Sequence, residues 1–337
     1  MTATGDSGPP LLAVQDLTVA FETLRGRMAV LDRVGFEVGA GEVLGLVGES
    51  GSGKSVTALS ILGLLSEQGR VDAGQILFGG RDLTRLPERD LCQIRGREIA
   101  MIFQEPMTSL NPVFSVGFQV AEVLVEHLAL SRRAARARAI ELLGQVGIPD
   151  PARRAAEYPH QLSGGMRQRA MIAMAMACRP RLLLADEPTT ALDVTIQAQI
   201  LDLVRRLRTE HRTAVVFISH DLGVIAGTAD RVLVMYAGQV VETAPSRDLF
   251  GAPLHPYTRL LLRSIPRVHA RAARLRTIPG TAPSPLLWPA GCRFHPRCPD
   301  AIDRCRSDRP ALSAAGPGRT VRCWRAGETG LPSAVEE

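Results

Sequence analysis

The chain has 337 residues, 45% of them hydrophobic and 22% charged, with a formal net charge of +6. That composition can build a sizeable core and excludes disorder over the whole length, and no apolar stretch approaches the ~20 residues of a membrane-spanning helix. Residues 1–10 carry Asp6 and no basic cluster ahead of an apolar run, so they are expected to be a disordered start, not a secretory signal, on a cytoplasmic protein.

In chain order, Leu11–Phe21 and Val34–Val38 are expected to be strands, followed by the apolar run Glu42–Gly48, suited to a buried strand. That run enters Gly48-Glu49-Ser50-Gly51-Ser52-Gly53-Lys54-Ser55, which fits G-x-x-x-x-G-K-[ST]. Glycines there let backbone N–H groups converge on phosphate oxygens, Lys54 reaches the β- and γ-phosphates, and the Ser55 hydroxyl suits Mg²⁺. A helix over Val56–Leu65 adds its N-terminal dipole. Thirty-nine of the 40 basic side chains are arginine and Lys54 is the only lysine. A planar guanidinium does not replace a compact ammonium inside such a loop.

Further on, Ile102-Phe103-Gln104 closes an apolar strand with an amide, and Ser131 is placed to cap a helix over Arg132–Val146. Leu162-Ser163-Gly164-Gly165-Met166 opens a helical pattern reaching Cys178; a Ser-Gly-Gly at a helix start offers free N–H groups and a hydroxyl to an anion. The strand Arg181–Ala185 ends in Asp186 and Glu187, one suited to Mg²⁺ and the other to polarising water. Ala191-Leu192-Asp193 follows, and Val215–Ser219 is a strand ending in His220.

From Ile265 the composition changes. Prolines at 266, 279, 283, 285 and 289 break regular structure, and residues 265–337 hold 12 arginines against six carboxylates, which is the whole net charge. Cys292, Cys298, Cys305 and Cys323 cluster there, spaced C-x5-C-x6-C-x17-C. Four soft thiolates suit Zn²⁺ or an iron–sulfur cluster. The gaps are wider than the usual zinc pairs, and Arg293, Arg297, Arg304 and Arg306 are expected to offset the negative charge of four thiolates with a cluster. His295 lies inside the motif but four cysteines suffice as ligands; Cys92 and Cys178 read as ordinary small residues.

Taken together, the phosphate loop, Gln104, the LSGGM run, the LLLADE run, the ALD run and His220 resemble the ATP-binding subunits of ABC transporters. Gln104–Pro112, Tyr158–Arg169, His255–Thr258 and Cys292–Cys298 resemble one branch, the dipeptide/oligopeptide (and nickel) importer ATPases. The resemblance implies an α/β P-loop ABC ATPase domain over residues 11–260: a parallel core sheet, an antiparallel β-layer and a helical subdomain at about 113–165. A small Cys-rich extension would occupy residues 261–337.

By the same resemblance, Phe21 stacks on adenine; residues Gly48 to Val56 hold the phosphates; and Ser55, Gln104 and Asp186 arrange Mg²⁺. Glu187 is the catalytic base, His220 holds the γ-phosphate, and Ser163, Gly164 and Gly165 meet ATP bound to an opposite subunit. It favours a [4Fe–4S] cluster on the four tail cysteines, with Zn²⁺ the runner-up. The implied partners are a second ABC ATPase in a heterodimer, two membrane permeases and, through them, a substrate-binding protein, with the chain peripheral on the cytoplasmic face of a bacterial membrane. A nickel importer is the near alternative. A soluble ABC ATPase acting on nucleic acid is the distant one, weakened by a charge-balanced body and only 4% aromatic residues.

Overall fold

The computed structural model describes residues 9–24, 26–104, 109–189, 194–264 and 278–326. The expected disordered start falls almost wholly outside these residues, and the ALD run at 191–193 lies outside them entirely. Strands follow the chain as β1 (Leu12–Thr23), β2 (Gly26–Val38), β3 (Val43–Val47), β4 (Gly69–Phe78), β5 (Arg81–Asp82) and β6 (Ile99–Ile102). The series continues with β7 (Leu182–Asp186), β8 (Ala214–Ile218), β9 (Arg231–Tyr236), β10 (Gln239–Pro245), β11 (Ser313–Ala314) and β12 (Thr320–Val321). Two compact units share them: one takes in residues 38–42 and 85–217, the other 12–37, 43–84 and everything from Ile218 on.

The second unit contains two sheets. In the first, ordered β2-β1-β4-β5, β1 and β4 pair antiparallel from Leu12 opposite Phe78 to Phe21 opposite Gly69. The register slips between Gln15 and Thr18, where Asp16 takes φ 48°. Gly74, at φ 93°, lies against that bulge, and a Cβ on it would meet the Asp16 carbonyl at 2.6 Å. The expected strand Val34–Val38 is the end of a longer one beginning at Gly26, whose first five residues are only half-buried or exposed.

In the second sheet of this unit, the order is β11-β12-β10-β9-β3. Strand β3, Val-Leu-Gly-Leu-Val, is buried throughout and pairs parallel with β9, as an apolar run covered on both faces should. A two-residue turn, Ala237-Gly238, both with positive φ, returns β9 antiparallel into β10. Strand β12 then adds antiparallel to β10, Glu242 opposite Val321 and Thr243 opposite Thr320, so the Cys-bearing region supplies the last two strands. The pair Thr320-Val321 is too short to show a strand's alternation in the sequence.

The first unit carries β8-β7-β6, with β7 parallel to β6 and all three buried. Its longer helices are Val116–Leu128, Arg132–Gln145, Gly164–Met176 and Val194–His211. Ser131 caps the second as expected, its Oγ accepting from the Ala134 N–H at 3.3 Å. No helix among the described residues is long and apolar enough to cross a membrane.

Candidate nucleotide site and thiol cluster

The phosphate loop connects β3 to the helix Lys54–Leu62, which starts two residues before the expected Val56 and stops at Gly63, left-handed at φ 63°. Three loop glycines shape it: Gly48 at φ 153°, Gly51 at 78° and Gly53 at 104°. A Cβ on Gly48 would collide with the Met235 carbonyl, and one on Gly53 would lie 2.5 Å from Leu31 Cδ2. Around Gly51 nothing lies within 4 Å of where a Cβ would be, so the outer wall of the loop is open.

Lys54 is 94% buried, with 6% of its surface exposed, and its Nζ donates to the carbonyls of Gly48 (2.8 Å) and Glu49 (3.0 Å). An ammonium folded across its own loop, with the glycine backbone curled beneath it, is a donor set that fits a polyphosphate. Ser52 is buried, and Ser55 and Val56 are half-buried at the helix start. Phe21 is half-exposed on β1, its ring over Gly69, its register partner.

Glu49 is gripped at both ends, by partners sequence reading did not find. Its N–H donates to Tyr257 Oη at 2.8 Å. Its carboxylate receives both terminal nitrogens of Arg297, at 2.6 and 2.9 Å. Burial pushes the Tyr257 phenol well above its ordinary range and the Glu49 charge pushes it the same way, so the group stays neutral. The Glu49 contact in turn raises the Arg297 guanidinium.

In the other unit, β7 delivers Asp186, 4% exposed, and then Glu187 in a left-handed turn at φ 47°. A non-glycine residue held in that region is a local cost that aims its side chain out of the strand line. Gln104, two residues past β6, donates through Nε2 to Glu187 Oε2 at 3.1 Å. The two polar ends of adjacent parallel strands thus meet. Ser163 caps Gly164–Met176, its Oγ accepting from the Met166 N–H at 3.3 Å. Ser163 and Gly164 are exposed, and Gly164 has nothing within 4 Å of a Cβ position. In the second unit, His220 is exposed two residues beyond β8.

All four tail cysteines line one small cavity of about 10 Å³, together with His255, Phe294, His295 and Trp324. None of the six cysteines forms a disulfide. Burial pushes the Cys298 thiol up to about 12 and Cys323 to about 11, with neighbouring thiols adding to both. Four thiols are the right donor type for a soft metal. Their spacing as folded, however, does not close on an ion: among the described residues no group of three or more His, Cys, Asp and Glu is set to hold a metal.

The arginines near the motif differ from expectation. Arg293 pairs with Asp32 and lies 3.3 Å over the Trp288 ring; Arg297 goes to Glu49; Arg304 stacks over Trp324 at 3.5 Å; Arg306 lies 3.9 Å from Asp303. Each finds a carboxylate or an aromatic face that gives more than a neutral thiol can. The cations that pull thiols down, against the larger effect of burial, are Arg322 on Cys292 and Arg259 on Cys323. His295 lines the same cavity, its Nδ1–H donating to the Cys292 carbonyl at 2.9 Å.

Residues 31–190 match the family described as ABC transporter, and 241–305 match the oligopeptide/dipeptide transporter C-terminal region. The chain is 52% identical over 313 residues to the dipeptide transport ATP-binding protein DppD of Escherichia coli, covering 93% of this chain and 96% of that protein. It is also 52% identical over 321 residues to the oligopeptide transport ATP-binding protein AppD of Bacillus subtilis, covering 95% and 98%. Among solved structures, the ATP-binding cassette MJ0796, a post-hydrolysis dimer bound to ADP and Pi, superposes with a TM-score of 0.64 at 29% identity, over 70% of this chain and 99% of that one. The chain belongs to the ABC transporter family, among the ATP-binding proteins of the dipeptide/oligopeptide branch.

Proposed function

We propose that the chain binds ATP at Gly48–Ser55, hydrolyses it at Glu187, and thereby powers import of dipeptides or oligopeptides through membrane permeases. Membership of the family makes it an ATP-hydrolysing subunit. The observation that carries the reading is the pair of prepared groups: Lys54 folded over the loop carbonyls, and Glu187 oriented by Gln104.

Lys54 and the loop N–H groups hold the β- and γ-phosphates, with His220 on the γ-phosphate and Phe21 beside adenine. Water attacks the γ-phosphorus as the bond to the bridging oxygen breaks, and Glu187 takes the proton. Ser55, Gln104 and Asp186 are the residues for Mg²⁺, which when bound neutralises charge on the phosphate oxygens. Ser163, Gly164 and Gly165, exposed at a helix start, suit the ATP of an opposite subunit. That subunit is a second, similar ATPase, so the working unit is a heterodimer on the cytoplasmic face of the membrane, joined to two permeases and, through them, to a substrate-binding protein.

Replacing the base tests the central step: Glu187→Gln should keep ATP binding and slow hydrolysis by roughly 100-fold or more. Turnover at the wild-type rate would remove Glu187 from the mechanism.

Cys292, Cys298, Cys305 and Cys323 suit a [4Fe–4S] cluster better than Zn²⁺, on their number, softness and wide spacing. Taking one up requires the four thiols to give up protons and to close on the cluster. Protein purified without oxygen should be brown, with about four iron atoms per chain. A colourless preparation with one zinc would reverse the order of the two.

A further inference from the structure

The second residue of the phosphate loop is an acid. Glu49 lies one step from Gly48 and five from Lys54, on the segment meant to attract a polyphosphate. A free carboxylate there would repel phosphate oxygens and offer Lys54 a competing anion. The structure disposes of it with a residue almost 250 positions away. Arg297 makes a two-pronged contact with both Glu49 oxygens, at 2.6 and 2.9 Å, and its own side chain is only 6% exposed. Arg297 is itself held: its Nε donates to the Pro279 carbonyl at 2.7 Å and one terminal nitrogen lies 3.3 Å from Tyr236 Oη. Tyr236, Tyr257 and Phe294 pack ring to ring at 4.6 to 5.3 Å beneath it.

The same aromatic cluster takes the Glu49 N–H through Tyr257 Oη. The Glu49 carbonyl is left facing the loop, where it receives Lys54 Nζ at 3.0 Å. Carboxylate and N–H of Glu49 thus go to Arg297 and Tyr257, and its carbonyl to Lys54 and the Ser52 N–H.

We propose that Arg297 is a positioning residue for ATP binding: it neutralises Glu49 and draws its carboxylate away from the loop, leaving Lys54 for the phosphates. The proposal rests on Gly48–Ser55 being the ATP phosphate loop. On this reading Arg297 acts through Glu49, whose carboxylate it holds with both terminal nitrogens. Its effect therefore belongs to nucleotide affinity and to the presence of the Glu49 charge, not to the chemical step.

The test is a double-mutant cycle on the full-length protein, read as the Kd of a fluorescent ATP analogue and as KM and kcat for ATP. Arg297→Ala should weaken binding by roughly tenfold or more and raise KM with kcat little changed. In a Glu49→Gln background the same substitution should cost less than about threefold, because no lone carboxylate is left behind. Arg297→Lys should recover part of the affinity, short of the two-pronged contact. A purely structural role would make the loss equal in both backgrounds, and that result overturns the proposal, as does an unchanged Kd for Arg297→Ala. If Arg297→Ala does not fold, Arg297→Gln carries the same comparison. Lys54→Ala, measured alongside, should abolish binding. If it does not, the phosphate-loop reading has failed and this proposal with it; if it does while the cycle shows no coupling, the failure is confined to Arg297.

Discussion

At the scale of single residues, the nucleotide loop depends on positions where a side chain has no room. Gly48 combines φ 153° with a Cβ position that collides with the Met235 carbonyl. Gly48→Ala should therefore cost about 1–3 kcal/mol of stability through backbone strain and weaken nucleotide binding by at least roughly tenfold as the loop shifts off Lys54. Thermal unfolding and a nucleotide titration on the same preparation would check both. The loop itself, with its glycines and Lys54, was legible because motif, preceding strand and following helix are contiguous. Glu49 was legible only as a member of the motif. Its partners Tyr257 and Arg297 stand 208 and 248 residues away, and no local pattern points from one to the other.

At the scale of elements, the helix Gly164–Met176 shows one side chain serving two ends. Ser163 satisfies an otherwise orphan N–H at the helix start while exposed on the face proposed for an opposing ATP. The two roles separate in Ser163→Asp. Aspartate is as good a cap and suits the helix dipole, so the melting temperature should stay within a degree or two (about 0.5 kcal/mol, for a surface cap exchange). A carboxylate facing the γ-phosphate should lower ATPase activity by roughly tenfold or more. A variant that loses melting temperature and activity together would show Ser163 to be structural only. Helix starts such as Ser131 and Ser163 were readable because capping is local chemistry. The strand pair β11–β12 was not, since two-residue strands carry no periodicity and exist only because β10 offers a ladder to join.

At the scale of the whole chain, the Cys-bearing region is fastened to its unit by buried charge. Arg293 is 3% exposed, with its guanidinium on Asp32 and the Ala237 carbonyl, and burial lowers its pKa to about 9. Removing the partner leaves that cation stranded, so Asp32→Ala should destabilise the protein by about 3–5 kcal/mol in urea unfolding. Adding Arg293→Met should return much of the loss, because it removes the stranded cation that carries the cost. The four cysteines were gathered correctly by spacing alone. The arginines between them were misassigned, because charge counted along a sequence does not say which acid or ring each cation will find in space.

Strand β12 has one more implication, for how such a chain could be divided. Strand β10 has β9 on one side and β12 on the other, and β12 is in turn covered by β11. A protein ending near residue 264 would keep β10 but lose the pairing that β12 gives it at Glu242 and Thr243. Unpaired flanks of that kind template pairing between molecules. The Cys-bearing region thus also covers part of a sheet edge, whatever its thiols hold.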